Sequence, residues 1–295
     1  AVIDYYLEQP ARTVQLQILD DTGKVVRSYS NATIPKLDQP APPTPSFWIR
    51  PRRPLPAITG EHRVTWNMRY PTPPALFFDQ SMGAVPEDTP FIPQGPMALP
   101  GNYTVKLTVD GTSYTQPLML KQDPRLGDSP ATIDAMRRQL ALAQQIIAVM
   151  AASKQAYERG KALGTQLTSL NKGSPDKSAN TLQGQLIKLT GTVAEASIGL
   201  SGGPYAVPPI KGATSFSRIN GQSSALLEMV TYNSESVPVT SLYRTYLELC
   251  GDFNISATAW RALQPQLTKL AAWLKHAGAD RHLMLEAISP LTCKK

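Results

Sequence analysis

Residues 98–125 read ALPGNYTVKLTVDGTSYTQPLMLKQDPR, and this stretch decides the first half of the fold. Tyr103, Val105, Leu107 and Val109 alternate with Thr104, Lys106 and Thr108. That period of two belongs to a strand with one apolar and one polar side. Asp110-Gly111 follows, a pair that tolerates the positive φ of a two-residue hairpin turn. Residues 114–121 return as the partner strand, and Asp123-Pro124 stops it, because proline has no N–H to continue a ladder. A hairpin of this kind belongs to an antiparallel sheet, and nothing in it is catalytic.

Outward from the hairpin, the first half repeats the pattern. VIDYYL (2–7) is rich in β-branched and aromatic residues. In VQLQIL (14–19), Val14, Leu16 and Ile18 face one side and Gln15 and Gln17 the other. DDTGK (20–24) has turn chemistry, and VVRSY (25–29) returns beside it. EHRVTWNMRYP (61–71) restores a strand with Val64 and Trp66 on one face. Two excursions interrupt the strands, residues 34–56 and 71–100, and the first is too rich in proline to be a central strand. It reads as an extended or polyproline loop that wraps the strands, or as a ligand for a proline-recognising domain. Short antiparallel strands with turns between them point to a β-sandwich over residues 1–124.

After Pro124 the period changes. Asp128-Ser129-Pro130 is a helix start, an N-cap residue with proline at the first helical position. Ile133, Met136, Leu140, Ala143, Ile147 and Met150 then fall on one stripe of a helix about 40 residues long. A turn is expected at 171–175. A second stripe runs over Leu182, Leu186, Leu189, Val193, Ala196 and Leu200, and SGGPYAVPP (201–209) breaks it. A third helix starts near Ser217 and carries Ile219, Leu226, Met229 and Val230. A fourth runs from near Pro238 through Leu274, with Gly251 and Pro265 as places to break or kink. Long helices on short connections predict an antiparallel bundle over residues 128–295. The whole is an α+β multidomain chain, and Leu118, Leu120 and Leu126 are expected near the packing of the first helix on the hairpin.

The bulk composition narrows the function classes. Of 295 residues, 42% are hydrophobic, enough to bury a core and argue against global disorder. The net charge is +7, but the basic residues are dispersed, and the only dense run is Arg50-Pro51-Arg52-Arg53. No aromatic-rich RNA motif accompanies it, so nucleic acid is disfavoured as a partner. No apolar run reaches the roughly 20 residues that span a bilayer. The abrupt, strand-like start at Ala1 reads as a mature end, a processed fragment or part of a longer chain.

With these pieces assembled, AVIDYYL, VQLQILDDTGKVVRSYS, HRVTWNMRYP and ALPGNYTVKLTVDG resemble the FlgD-type immunoglobulin-like module. The matching positions run from Asp20 to Arg27, Val64 to Asn67 and Pro100 to Leu107. The order DPR, long helix, INGQSSALLEMV, VPVTSLYRTY resembles the C-terminal tail of bacterial sortilin-like proteins, in which a BNR-type β-propeller precedes such a tail. The resemblance implies an extracytoplasmic location, periplasmic, secreted or peripheral to a membrane complex. It implies a protein partner, either a propeller or a larger envelope complex. Where family tails carry an Ala-Asp-rich segment, this chain has YNSESVPV (232–239), and no propeller activity transfers to a chain without one.

A search for chemistry assigns no catalytic residue, no metal ligand and no cofactor. The three histidines, His62, His276 and His282, read as solvated, and no G-x-S-x-G, P-loop or GxGxxG pattern occurs. Asp20-Asp21 reads as a turn rather than a calcium or glycosidase pair. Cys250 and Cys293, with no CxxC or Cys/His cluster, are a disulfide in an oxidising compartment or two buried thiols. Asn31, Asn102 and Asn254 begin Asn-x-Ser/Thr triplets. The binding candidates sit in the excursions: Phe47, Trp48, Arg50, Arg52 and Arg53 in the first, Phe77 and Phe78 in the second. Loop aromatics either mark a binding surface or fold back over the strands. A non-catalytic interaction and assembly region is the leading expectation. A glycan-binding accessory of a hydrolase, stacking sugars on Trp48, Phe77 and Phe78, is the alternative.

Overall fold

The computed structural model describes residues 1–34, 45–80, 85–126, 130–171, 177–201, 214–232, 236–276 and 286–294. It is a mixed α+β chain, with antiparallel sheets in the N-terminal part and helices in the C-terminal part. The heart of the proline-rich passage, Asp128 and Ser129, the turn after Asn171, the break after Ser201, residues 233–235 and His282 lie outside the described residues, as do the side chains of Leu126 and His276.

The strands follow the alternation. β1 (Val2–Leu7) pairs antiparallel with β4 (Gly60–Thr65). β2 (Val14–Leu19), β3 (Val25–Ser30), β7 (Gly101–Val109) and β8 (Thr112–Leu120) form a four-stranded sheet in the order β3-β2-β7-β8. Asp110 and Gly111 have φ of 47° and 92°, the left-handed pair that a tight hairpin turn between β7 and β8 requires. Val14, Leu16 and Ile18 are at most 1% exposed, as their alternation predicts. One buried cluster combines Tyr5, Leu7, Val64 and Trp66 from the β1/β4 side with Val14, Leu16, Ile18, Val26 and Tyr103 from the four-stranded sheet. Leu55, from the first excursion, enters the same cluster, while Leu118 and Leu120 pack against it half-buried. The second excursion is more ordered than a plain loop. It forms β5 (Asp79–Gln80) and β6 (Phe91–Ile92), and its far end bonds back to residues 68–70 through Ala98 N–H to Met68 O (2.7 Å) and Tyr70 N–H to Pro96 O (2.9 Å).

The helices are α1 (Pro130–Asn171), α2 (Lys177–Thr190), α3 (Val193–Ser201), α4 (Phe216–Tyr232) and α5 (Thr240–His276). The expected stripe on α1 holds at Ala143 and Met150, both fully buried, and shifts elsewhere. Ala135, Leu142, Ile146 and Val149 are buried while Met136, Leu140 and Ile147 are only half-buried, so the buried arc is wider than one i,i+3/i+4 row. The second stripe is two helices rather than one, because Gly191 turns left-handed at φ 76° between α2 and α3. Met229 is 64% exposed, and Leu227 holds the inward place beside Leu226 and Val230. α5 runs unbroken through Gly251 and Pro265. Its Phe253 and Trp260 rings stand 5.9 Å and 6.3 Å from the Phe216 ring of α4, and α2 packs against α5.

The chain divides into two compact units whose segments interleave. One comprises Ala1–Pro73, Asp79–Gln144 and Val230–Pro238, the other Pro74–Phe78, Gln145–Met229 and Val239–Lys295. The chain thus passes once through the helical unit for five residues, at Pro74–Phe78, before the second excursion continues in the sheet unit.

Candidate functional site

The binding candidates of the first excursion are brought together by a second loop. After Pro45, residues Ser46–Trp48 make a single 3-10 turn, closed by the Trp48 N–H donating to Pro45 O at 3.0 Å. Residues 85–89 then bond to this stretch through three main-chain hydrogen bonds. Glu87 N–H donates to Phe47 O (2.9 Å), Thr89 N–H to Trp48 O (3.0 Å) and Arg50 N–H to Thr89 O (2.9 Å). Thr89, 1% exposed, fixes the second loop from inside, with its hydroxyl donating to Val85 O and accepting from Val85 N–H, both at 3.2 Å. The loop pair is therefore built like a short piece of parallel sheet, and Ile49 and Thr89 form its bridge.

Charge is matched across the same pair. Arg50 meets Asp88 at 2.6 Å and Arg53 meets Glu87 at 3.4 Å. Arg50 and Arg53 of the dense basic run thus spend their charge on carboxylates of the facing loop. Such exposed pairs contribute little stability, but they remove the uncompensated positive patch that phosphate recognition needs. Among the exposed groups of the loop pair is one large aromatic. Phe47 is 63% exposed and stacks edge-on against the half-buried Trp48, with ring centroids 6.0 Å apart. The product is an aromatic knob on a hydrogen-bonded base, which loses little side-chain entropy on contact.

Phe77 and Phe78 belong to the other unit. Phe78 is 7% exposed and cannot offer a stacking face, and Phe77 is half-buried. A sugar platform built from Trp48, Phe77 and Phe78 loses one of its three members on that ground.

The remaining candidates are absorbed by local structure. Asp20 holds its turn by accepting from the Thr22 hydroxyl (2.7 Å), Thr22 N–H (3.1 Å) and Lys24 N–H (2.9 Å). The Thr22 hydrogen bond in particular keeps its carboxyl below the usual range. His62 is half-buried rather than solvated. Its Nε2 lies 2.7 Å from Ile58 O and its ring 5.1 Å from that of Tyr5. Asp252 on α5 is the carboxyl whose pKa is raised, by burial first and Glu248 second, with Arg218 opposing. Among the described residues no group of three His, Cys, Asp or Glu side chains is arranged to hold a metal ion, and no helix is long and apolar enough to cross a membrane.

Cys250, buried on α5, is joined to Cys293 by a disulfide spanning 43 residues. The bond sits in a strap, residues 286–294, that sequence reasoning missed. Asn254 reads the strap's main chain twice, accepting from Leu291 N–H (2.7 Å) and donating to Leu291 O (2.9 Å). The Trp260 indole donates to Glu286 O (3.1 Å), the Arg159 guanidinium to Ala287 O (2.8 Å), and Ile288 is buried. Asn254 is thus committed internally, and so is Asn31, which donates to Arg12 O (2.9 Å) and accepts from Val14 N–H (3.0 Å). Comparison with protein-family models, with curated proteins and with solved structures found no match to the chain.

Proposed function

We propose that the chain is a non-catalytic interaction and assembly region of an extracytoplasmic bacterial protein of the sortilin-like kind. In this reading an Ig-like β-sandwich precedes an antiparallel helical bundle, and the aromatic knob docks a β-propeller or a larger envelope complex. The observation that carries the reading is the Phe47–Trp48 pair, Phe47 exposed and Trp48 half-buried, on a base of three main-chain hydrogen bonds and two ion pairs. Exposed aromatics on preorganised backbone are the anchors from which interface hot spots are made. The Cys250–Cys293 disulfide supports the oxidising location, and the core cluster drawn from both sheets supports the sandwich.

Affinity capture from the native source tests this with wild-type chain and the Phe47→Ser/Trp48→Ala variant side by side. A propeller-containing partner recovered with the wild type should be lost with the variant. Each aromatic anchor is worth about 2 kcal/mol or more when truncated. Recovery of the same partner by both proteins, or of a solitary chain by the wild type, overturns the reading.

A further inference from the structure

The five residues Pro74–Phe78 sit in the helical unit as a ligand sits in a receptor. Ala75, Leu76 and Phe78 are 2%, 9% and 7% exposed. Two of the segment's main-chain groups are read by Asn220 of α4, which is 0% exposed. Its Oδ1 accepts the Leu76 N–H at 2.7 Å, and its Nδ2 donates to Pro74 O at 3.1 Å. The carbonyl of one residue and the N–H of the residue two further on are the groups a parallel strand neighbour bonds, so the Asn220 amide stands in for a strand. The amide is itself oriented by α1, donating to Met150 O at 2.9 Å and reaching Ser153 Oγ at 3.3 Å. Lys154 Nζ adds a contact to Ala75 O at 3.4 Å.

Main-chain bonds of this kind recognise any extended peptide, and the pockets select its side chains. Here the buried positions are a small residue, then Leu, then an aromatic two positions after the Leu. The five residues are contiguous, and the main-chain contacts of Asn220 and Lys154 fall on three of them, so the same segment of a second copy presents the same groups. We propose that this α1/α4 seat is a peptide-recognition site, filled in cis by Pro74–Phe78, that accepts the same segment from a second copy when the cis segment is withdrawn. The inference is independent of the aromatic knob and of the reading built on it.

Two full-length variants complement each other in the test. Leu76→Asp/Phe78→Ser vacates the seat, and Asn220→Ala releases the segment while breaking its own seat. Each alone should run at the mass of one chain, and their mixture should give a dimer by light scattering. A labelled synthetic peptide covering residues 72–80 should bind the vacated variant about tenfold or more tighter than the wild type. Adding Asn220→Ala to that variant, or N-methylating the peptide at its Leu, should weaken binding by about tenfold, because each removes a buried main-chain bond. A folded vacated variant that neither dimerises with the Asn220→Ala variant nor binds the peptide overturns the proposal. If the vacated variant does not fold, wild-type chain refolded from urea with excess labelled peptide decides. Label retained through gel filtration, and absent with the N-methyl peptide, supports the site, and no retention overturns it.

Discussion

Gly221→Ala on α4 should destabilise the helical unit although it replaces the poorest ordinary helix former with the best. In an exposed helix interior the exchange gains about 1 kcal/mol. At position 221 the added Cβ would lie 2.1 Å from Ala196 O and 2.7 Å from both Ala196 C and Cα, all of them backbone of α3. Cβ contacts essentially never fall below 3.0 Å, so α3 must move by at least 3.0 − 2.1 = 0.9 Å. No rotamer change relieves it, because the obstacle is main chain. A gap of that size forfeits a quarter to a half of each dispersion contact across the helix pair, and forced overpacking costs about 1–3 kcal/mol. With the upper figure apt for a backbone clash, the net is a loss of about 2 kcal/mol.

Two other helical glycines make the measurement internal. Gly184 on α2 and Gly251 on α5 have nothing within 4 Å of an added Cβ, so Gly184→Ala and Gly251→Ala should stabilise by about 0.5–1 kcal/mol. Gly160→Ala on α1 falls between, since its clash at 2.1 Å is with the side-chain hydroxyl of Thr190, which can rotate. Urea titration followed by helical circular dichroism reads the order directly. Gly221→Ala should sit about 3 kcal/mol below the two open-site variants, a melting difference of roughly 6–12 °C. A Gly221→Ala protein as stable as Gly184→Ala would refute the close α3/α4 approach and the sign argument with it.

Pro117→Val should make the chain self-associate. Val109 and Thr112 close the two-residue turn, so alternate residues of the outer strand β8 bond inward, and positions 113, 115, 117 and 119 direct their N–H groups to the free edge. Proline removes the central outward donor. Restoring it should produce concentration-dependent dimers by analytical ultracentrifugation, and a monomer at all concentrations counts against edge protection. The Tyr103 phenol donates to Leu99 O at 2.6 Å and is pushed up to about 12, mainly by burial. Because folding holds this proton, the associated stability is complete below the ordinary tyrosine value of about 10 and is lost as pH rises toward 12. Sheet circular dichroism should fall over that window, and Tyr103→Phe should flatten the fall. Cys293→Ser frees a 43-residue loop, worth about 4 kcal/mol by chain entropy. The helical unit should melt on the order of 10 °C lower, and an unchanged melt would mean that the strap's hydrogen bonds carry the closure alone.

What the sequence makes legible is what a short window can contain. Val14, Leu16 and Ile18 declare a buried face because period-two alternation is itself the signature of one-sided burial. Asp110-Gly111 declares its turn because the φ values needed there exclude most other residues. Even so, local signals misplace detail where a second element decides. The stripe on α1 is displaced in part because a helix packed on several neighbours buries more than one row, and Met229 is apolar yet faces out.

The candidate site was half legible for the same reason. Phe47, Trp48 and Arg50 stood out in one loop, but their partners Glu87, Asp88 and Thr89, which give that loop its form, lie 38 to 41 residues further on, and nothing in their own neighbourhood names the partner. Asn220 was the least legible of all. In the run INGQSSALLEMV it reads as a polar interruption of an amphipathic helix, and its partners Pro74 and Leu76 are 146 and 144 residues away. One local clue was available. An Asn next to Ile219 on the apolar side of a helix must bury a four-partner amide, and a buried amide without partners is too costly to persist. Its burial therefore implied a distant segment presenting main-chain groups, and the second excursion, whose 71–78 stretch carries Pro71, Pro73 and Pro74 and so forms no regular ladder, was a part of the chain with such groups to spare.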